Sequence, residues 1–307
     1  MKAIVCTQYG PPEVLQIREL PKPIPKENQV LIKIMASAVN SGDVRVRSFD
    51  VQGIMRLVMR IVLGVSKPRQ PILGNVFSGI IESTGAKVRQ FKVGDRVFGM
   101  TGLKLSTNAE FIAVDQNSAV LQMPVNASFN EAAAIVFGGQ TALHFLDKAK
   151  ITRMSNPKVL IIGATGSVGT AAVQIADHYK SDITAVCSSE GEALLSELGV
   201  KKRVLYDKEN FANLKSKFDI IFDAVGSTSK KHCRHLLSEN GTYVSVRIGY
   251  AAESLRQLER LKHMFEVGEL NATIDKVYSM DNIVEAHRYV ETGRKKGNVV
   301  LKIGKTY

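Results

Sequence analysis

The apolar positions of the 307-residue chain change rhythm between about residues 120 and 130. Before that point short apolar or alternating runs succeed one another at strand length. They are AIVCTQYG (3–10), VLQIREL (14–20), QVLIKIMASAV (29–39), FSGIIESTG (77–85), DRVFGMTG (95–102) and AEFIAV (109–114). Runs of this kind, rich in Val, Ile and Phe and bounded by Gly, Pro and Asp, predict a β-rich region. The Pro-rich link LPKPIPKENQ separates the second run from the third, and Gly94-Asp95 predicts a turn. One stretch departs from the pattern: within 49–64, Ile54, Leu57, Val58 and Ile61 recur at helical spacing with arginines between them.

From Asn130 onward strand and helix signals alternate. A helical stretch, FNEAAAIVFGGQTALHFLDKA (129–149), comes first. KVLIIG is then followed by VGTAAVQIADHY, ITAVCS by EGEALLSELG, and FDIIFDAVG by KKHCRHLL, before GTYVSVRIG. Such alternation predicts a parallel sheet covered on both faces. After a helix at 255–266 the chain returns to short strands, ATIDKVYS and NVVLKI. Length and the change of character predict two domains: 1–123 completed by 268–307, and 124–267.

Composition narrows the class. With 45% hydrophobic residues the chain can bury a large core. The most apolar segment, GIMRLVMRIVLGV (53–65), is too short to span a bilayer and is broken by Arg56 and Arg60. MKAIVCTQYG lacks the apolar core and cleavage site of a signal peptide, so a cytoplasmic protein is expected. Cys6, Cys187 and Cys233 form neither a CxxC pair nor a Cys/His cluster, which predicts reduced, buried thiols. The formal charge is +12, with basic residues gathered at 45–69, 201–203, 230–235 and 294–296. Such a balance attracts phosphorylated ligands and polyanions in general. Without a zinc-finger or RRM-like motif, and without tryptophan, no dedicated nucleic-acid partner is expected. Solvated faces, with one patch serving a cofactor phosphate, account for the charge.

The chemistry concentrates in VLIIGATGSVGTAAVQIA (159–176). An apolar strand enters a turn, Gly163-Ala164-Thr165-Gly166-Ser167-Val168-Gly169, and a small-residue helix follows. Ala164 stands where the strict GxGxxG fingerprint has its first glycine. Glycine at 166 lets a backbone approach a pyrophosphate, glycine at 169 lets helix and strand pack, and the helix N-terminus can hold the phosphates. The same stretch is compatible with a tight strand-to-helix turn that binds nothing.

Ordered motifs along the chain resolve this ambiguity. They are AVNSGDVRVR (38–47), PILGNVFSGIIESTG with FKVGDRVFG (71–99), EAAAIVFGGQTAL (131–143), the glycine turn, LGVKKRVLYDKENF with FDIIFDAVG (198–226), and GRKKGNVVLKI (293–303). In this order the sequence resembles the medium-chain dehydrogenase/reductase superfamily, in particular its zinc-independent quinone oxidoreductase-like branch. The resemblance implies an α/β fold: a Rossmann doubly wound parallel sheet plus a GroES-like β-rich catalytic domain. It implies contacts with a nicotinamide cofactor at Gly163, Ala164, Thr165, Gly166, Ser167, Val168, Gly169, Ser188, Tyr206, Ala224, Val225, Gly226, Val246 and Asn298. Zinc-dependent members carry a cysteine at the place of Asn40, Gly-His-Glu at the place of Gly74-Asn75-Val76, and a four-cysteine lobe missing here. A metal-free mechanism is therefore expected. His144, His178, His232, His235, His263 and His287 lack metal spacing and read as surface or satisfied core residues.

Ser188 ends the second Rossmann strand where an NAD enzyme has an acid that binds the ribose hydroxyls. A hydroxyl there leaves room for a 2′-phosphate and favours NADPH, with NADH possible. Glu190 opposes this if it points inward, and Lys201, Lys202 or Arg203 are the candidates to offset it. Asn40 either donates its amide to an acceptor carbonyl or cofactor ribose, or caps a turn between strand and helix. Thr141 either presents its hydroxyl near the nicotinamide, as the resemblance implies, or starts a helix. Asp43 and Arg47 are expected to pair with each other or with the backbone, and the proton for the acceptor to come from water. The 53–65 segment reads as a lid, a membrane-surface helix or a plainly packed helix. The short passage YAAES (250–254) omits a sheet-edge strand that many relatives have, which predicts a smaller sheet and a monomer or an altered dimer. The expected activity is NADPH-dependent, zinc-independent reduction of a quinone, enone or aldehyde. The alternative is a non-catalytic NADPH-binding sensor or scaffold; a zinc alcohol dehydrogenase conflicts with the ligand positions.

Overall fold

In the computed structural model, which describes residues 1–49, 60–61 and 63–304, the first two runs form an antiparallel pair, β1 (Lys2–Cys6) and β2 (Leu15–Glu19). The next run becomes β3 (Gln29–Val39), which leads directly into helix α1 (Ser41–Ser48). β4 (Val76–Thr84) pairs antiparallel with β3, followed outward by β5 (Arg96–Met100), β6 (Phe111–Asp115) returning to β3, and β7 (Val120–Gln122) pairing with β5. Nearly every residue of β3 is buried because apolar groups cover both of its faces: Ile32 and Ile34 enter one core, Ala36 and Ala38 another. Most of 53–65 lies outside the described residues.

Helix α2 (Phe129–Lys148) opens with a capping box in which Ser128 and Glu131 satisfy each other's backbone N–H groups. It then joins β8 (Lys158–Ile162), α3 (Ser167–His178), β9 (Asp182–Cys187), α4 (Glu192–Glu197), β10 (Lys202–Leu205) and β11 (Phe218–Asp223). The stretch KKHCRHLL is helical as read, α-helical over α5 (Lys230–Cys233) and 3-10 over Arg234–Leu236, and only its last residue enters β12 (Leu237–Ser245). These strands form a five-stranded parallel sheet in the order β10-β9-β8-β11-β12. β12 is its edge; from there the chain passes to α6 (Leu255–Glu266) without a further strand.

The end of the chain returns to the first sheet. β13 (Ile274–Ser279) pairs with β14 (Asn298–Lys302), and β14 pairs antiparallel with β3, giving the order β13-β14-β3-β4-β5-β7 with β6 also on β3. Between them lies α7 (Ile283–Glu291), which the strand reading of this region does not anticipate. Its signal was present: Ile283, Ala286, His287 and Val290 repeat at helical spacing and are all buried.

Helix α2 joins the two sheets. It rests on β3, β4 and β14 on one side and on α3 on the other. Gly138 permits that approach, since a Cβ there would lie 2.8 Å from the carbonyl carbon of Ser167.

Candidate active site

The glycine turn is fixed by backbone bonds before any ligand is considered. Gly163 has φ +76°, and both its N–H and that of Ala164 donate to Val186 O on β9 at 3.0 Å. Ala164 is fully buried, so the departure from the fingerprint places a methyl in the core. A Cβ on Gly169 would come 2.7 Å from Ala164 Cα, so this glycine lets the start of α3 close onto the turn. Gly166 is the N-cap and offers no side chain to the first N–H groups of α3, among them those of Ser167, Val168 and Gly169. The nearest atom to a Cβ at Gly166 would be Gly163 O at 3.8 Å, so this face of the turn is open. Donors that no side chain among the described residues caps, beside open space, fit a pyrophosphate, while Gly166 itself is bridged to Gly297.

The turn is also bonded to the other sheet. Gly297 N donates to Thr165 O at 2.7 Å. The Ser167 hydroxyl donates to Asn298 Oδ1, and Asn298 Nδ2 donates to Ala272 O at 2.6 Å. Ser167 and Asn298 are both buried, so their side chains tie the two halves together.

At the end of β9, Ser188 is half-buried and its side chain caps nothing. Tyr206 N donates to Cys187 O at 2.9 Å, and the Tyr206 ring is exposed. Asp207 accepts from Ser189 N at 2.9 Å and Ser189 Oγ at 2.7 Å, and these bonds hold its carboxyl below the usual range. Lys202 and Arg203, expected to offset Glu190, are engaged elsewhere. Lys202 binds Asp182 at 2.6 Å, and Arg203 contacts Ser196 and lies 3.8 Å from Glu192. The cation beside Glu190 is Lys296, at 3.9 Å.

Asp223, at the end of β11, was not singled out by sequence. It is fully buried, and its Oδ1 accepts from the N–H groups of Val225 (3.3 Å), Gly226 (2.8 Å) and Ser227 (3.2 Å). Oδ2 accepts from Thr228 N at 2.9 Å and Tyr243 Oη at 3.2 Å. Burial and this carboxylate push the Tyr243 phenol up to about 12. One carboxylate thus shapes the loop carrying Ala224, Val225 and Gly226, with Ala224 N on Ile162 O and Val246 N on Asp223 O. An acid closing an apolar strand before Ala-Val-Gly was the available signal.

Asn40 and Asp43 form a second corner. Asn40 caps α1: its Oδ1 accepts from Gly42 N (2.8 Å) and Asp43 N (3.2 Å), while Asp43 Oδ2 accepts from Asn40 N (3.0 Å). Asn40 Nδ2 donates to Asn75 Oδ1 at 2.9 Å. Asp43 is buried and also accepts from Gly74 N at 3.2 Å; burial pushes its carboxyl up to about 7 despite these bonds. Asp43 and Arg47 do not pair. Arg47, fully buried, donates to Gly10 O and Glu291 Oε1, each at 2.6 Å. Asn75, which sequence reading considered only as a lost ligand, is half-buried, and its Nδ2 has no partner among the described residues. Thr101 N donates to Asn75 O at 2.8 Å and fixes its backbone. Thr141 lies in the body of α2, not at its start, and its hydroxyl donates to Phe137 O at 2.7 Å. A Cβ at Gly42 would lie 3.9 Å from Phe137 Cε2, so the Asn40 corner abuts this part of α2.

The donor set for a metal is poor. Asn40, Asn75 and Val76 offer no thiolate, imidazole or carboxylate where zinc ligands would stand. Among the described residues no group of three or more His, Cys, Asp or Glu side chains is placed to hold an ion. Cys6, Cys187 and Cys233 are buried, and burial pushes the thiols of Cys6 and Cys187 up to about 11. His287 is not the satisfied core residue expected: it is fully buried and neither ring nitrogen has a partner among the described residues. No helix among the described residues is long and apolar enough to cross a membrane.

A parallel sheet with an open glycine turn, joined through α2 to a strand-rich domain, defines a dinucleotide-dependent α/β oxidoreductase. Residues 26–153 match the alcohol dehydrogenase GroES-like domain, and 249–301 the zinc-binding dehydrogenase domain. The chain is 32% identical to the 2-methylene-furan-3-one reductase of Solanum lycopersicum, over 98% of its length and 79% of that protein's. It is 27% identical, with the same coverage, to the chloroplastic NADPH-dependent alkenal/one oxidoreductase of Arabidopsis thaliana. The quinone oxidoreductase structure from Coxiella burnetii superposes with a TM-score of 0.85 at 25% identity, covering 99% of both chains. The chain belongs to the medium-chain dehydrogenase/reductase family, among its quinone and enone oxidoreductases.

Proposed function

We propose that this chain is an NADPH-preferring reductase of enones, quinones or reactive aldehydes that works without zinc. The observation that carries it is the combination of the open, uncapped turn at Gly166 with an amide corner, Asn40–Asn75, at the position of a metal site. The names of the tomato, Arabidopsis and Coxiella relatives support this acceptor class. A bound nicotinamide supplies the hydride. The N–H groups at the start of α3 would hold the pyrophosphate, and the loop braced by Asp223 would supply backbone contacts to the dinucleotide. Asn40 and Asp43 act as positioning residues: they use their own polar atoms to aim the Asn75 amide, which donates to the acceptor oxygen as it gains charge. With its proton held by Phe137 O, the Thr141 hydroxyl would offer the cofactor a lone pair. Water supplies the proton. The two sheets, which share no strand, support domains of 1–123 with 268–307 and of 124–267. A five-stranded sheet ending at β12 supports a monomer or an altered dimer.

The test is steady-state oxidation of NADPH and NADH against a panel of quinones, enones and aldehydes, with metal analysis of the same preparation. Turnover with NADPH exceeding that with NADH, in protein free of zinc, is expected. Asn75→Ala should lower kcat for a carbonyl-activated acceptor by about tenfold to a thousandfold while cofactor affinity holds. Turnover that needs stoichiometric zinc, or tight NADPH binding with no acceptor reduced, overturns the proposal.

A further inference from the structure

Three segments meet at Thr165. Gly297 N donates to its carbonyl at 2.7 Å, and a Cβ on Gly191 would lie 2.7 Å from its Cγ2. The turn after β9 and the loop before β14 therefore both converge on the glycine turn, although they belong to different sheets. At this junction Lys296 Nζ stands 3.9 Å from Glu190 Oε2, and both side chains reach solvent. Ser188 lies two residues from Glu190, where the adenosine ribose of a dinucleotide is read. Of the other cations near this junction, Lys208 neighbours Asp207, and three are committed elsewhere. Lys295 donates to Gly297 O at 2.8 Å, Lys202 to Asp182, and Arg203 faces Glu192 and Ser196.

We propose that Lys296 is the residue that selects a 2′-phosphorylated adenosine, and that Glu190 is the counter-charge it leaves when such a ligand binds. Lys296 has this role only if the site takes a nicotinamide dinucleotide, as proposed above. A 2′-phosphate beside Ser188 meets two carboxylates, Glu190 and Asp207, and is repelled unless a cation answers it. The Ser188 hydroxyl supplies a neutral donor and no charge. Lys296 reaches the junction on a flexible four-carbon stem, and its solvent-exposed pair with Glu190 is weak. A phosphate offers the same ammonium charge-assisted bonds to several oxygens. An unphosphorylated ribose offers no such gain, so the pair persists and Lys296 leaves its affinity unchanged. A neutral glutamine at 190 removes both the competitor for Lys296 and one source of repulsion.

Binding of NADPH, NADH, adenosine 2′,5′-bisphosphate and adenosine 5′-monophosphate to the full chain, measured by titration calorimetry, tests this without turnover. Lys296→Met should weaken NADPH and the bisphosphate by about tenfold and leave NADH and the monophosphate nearly unchanged. Lys296→Arg should retain most of the affinity, and Glu190→Gln should tighten NADPH selectively. Equal losses for both cofactors in Lys296→Met, or an unchanged NADPH affinity, overturn the role of Lys296 while the dinucleotide reading stands. A wild-type chain that binds NADH more tightly than NADPH overturns the role of Lys296 and the NADPH preference, and one that binds neither cofactor overturns the dinucleotide reading as well.

Discussion

Gly166→Ala separates a turn built for a ligand from one built only to connect a strand and a helix. Gly166 has φ −78° and ψ 175°, a backbone that alanine adopts without strain, and the added methyl would meet nothing nearer than Gly163 O at 3.8 Å. Alanine is a poorer N-cap than glycine by about 0.5–1 kcal/mol. The loss of unfolded-chain entropy returns about 0.4–1 kcal/mol. Stability of the ligand-free protein should therefore stay within about 0.5 kcal/mol of wild type. The methyl instead occupies the surface a pyrophosphate must approach, at a cost of about 1–3 kcal/mol, or about fivefold to a hundredfold in NADPH affinity. Gly169→Ala is the control with the opposite signature. Its Cβ would press on the Ala164 backbone at 2.7 Å, so about 1–3 kcal/mol should be lost before any cofactor is added. Melting curves with and without NADPH, beside cofactor titrations, read both effects. A Gly166→Ala protein that binds NADPH like wild type, or melts as early as Gly169→Ala without it, refutes the reasoning.

Asp223→Ala should leave the partly buried N–H groups of the 225–228 loop without their acceptor and cost about 1–3 kcal/mol, with weaker NADPH binding, measured by urea unfolding and titration. His287 gives an acid limb to stability. Burial, aided by the Arg47 charge, lowers its imidazole from 6.5 to about 3, so the unfolded chain takes up a proton below pH 6.5 that the folded one refuses. Stability from this group is complete above pH 6.5 and falls as pH drops toward 3, by up to about 5 kcal/mol, the value of about 1.4 kcal/mol per pH unit over that window. His287→Leu should flatten this limb in melts taken from pH 4 to 7.5; an unchanged slope counts against the assignment.

Much of the fold was legible because it rests on local rules. Strand-length apolar runs produced β3, β4 and β5, the alternation after residue 157 produced the parallel sheet, and a glycine-bearing turn marked the entry to α3. α7 is hard to read because it is short, nine residues with four buried positions, and lies between two strand-like runs. KKHCRHLL reads as a helix by composition and is one through Leu236; only Leu237 is drawn into β12, by pairing with Phe218 of β11.

The site divides along the same line. By itself the sequence determined which residue types stand at the glycine turn, at 188 and at 74–76, and so the class of cofactor and the poverty of metal donors. Only the tertiary structure decided what those side chains are free to do. Asn40 spends its amide on α1 and Asn75, so the open donor passes to a residue thirty-five positions away. Glu190 is answered by Lys296 and not by the adjacent basic run, which pairs with Asp182 and Glu192. Hydrogen bonds and charges act over a few ångströms of space whatever the distance along the chain. Residue type sets what a group can offer; the packing of two sheets through α2 sets which partner takes it first.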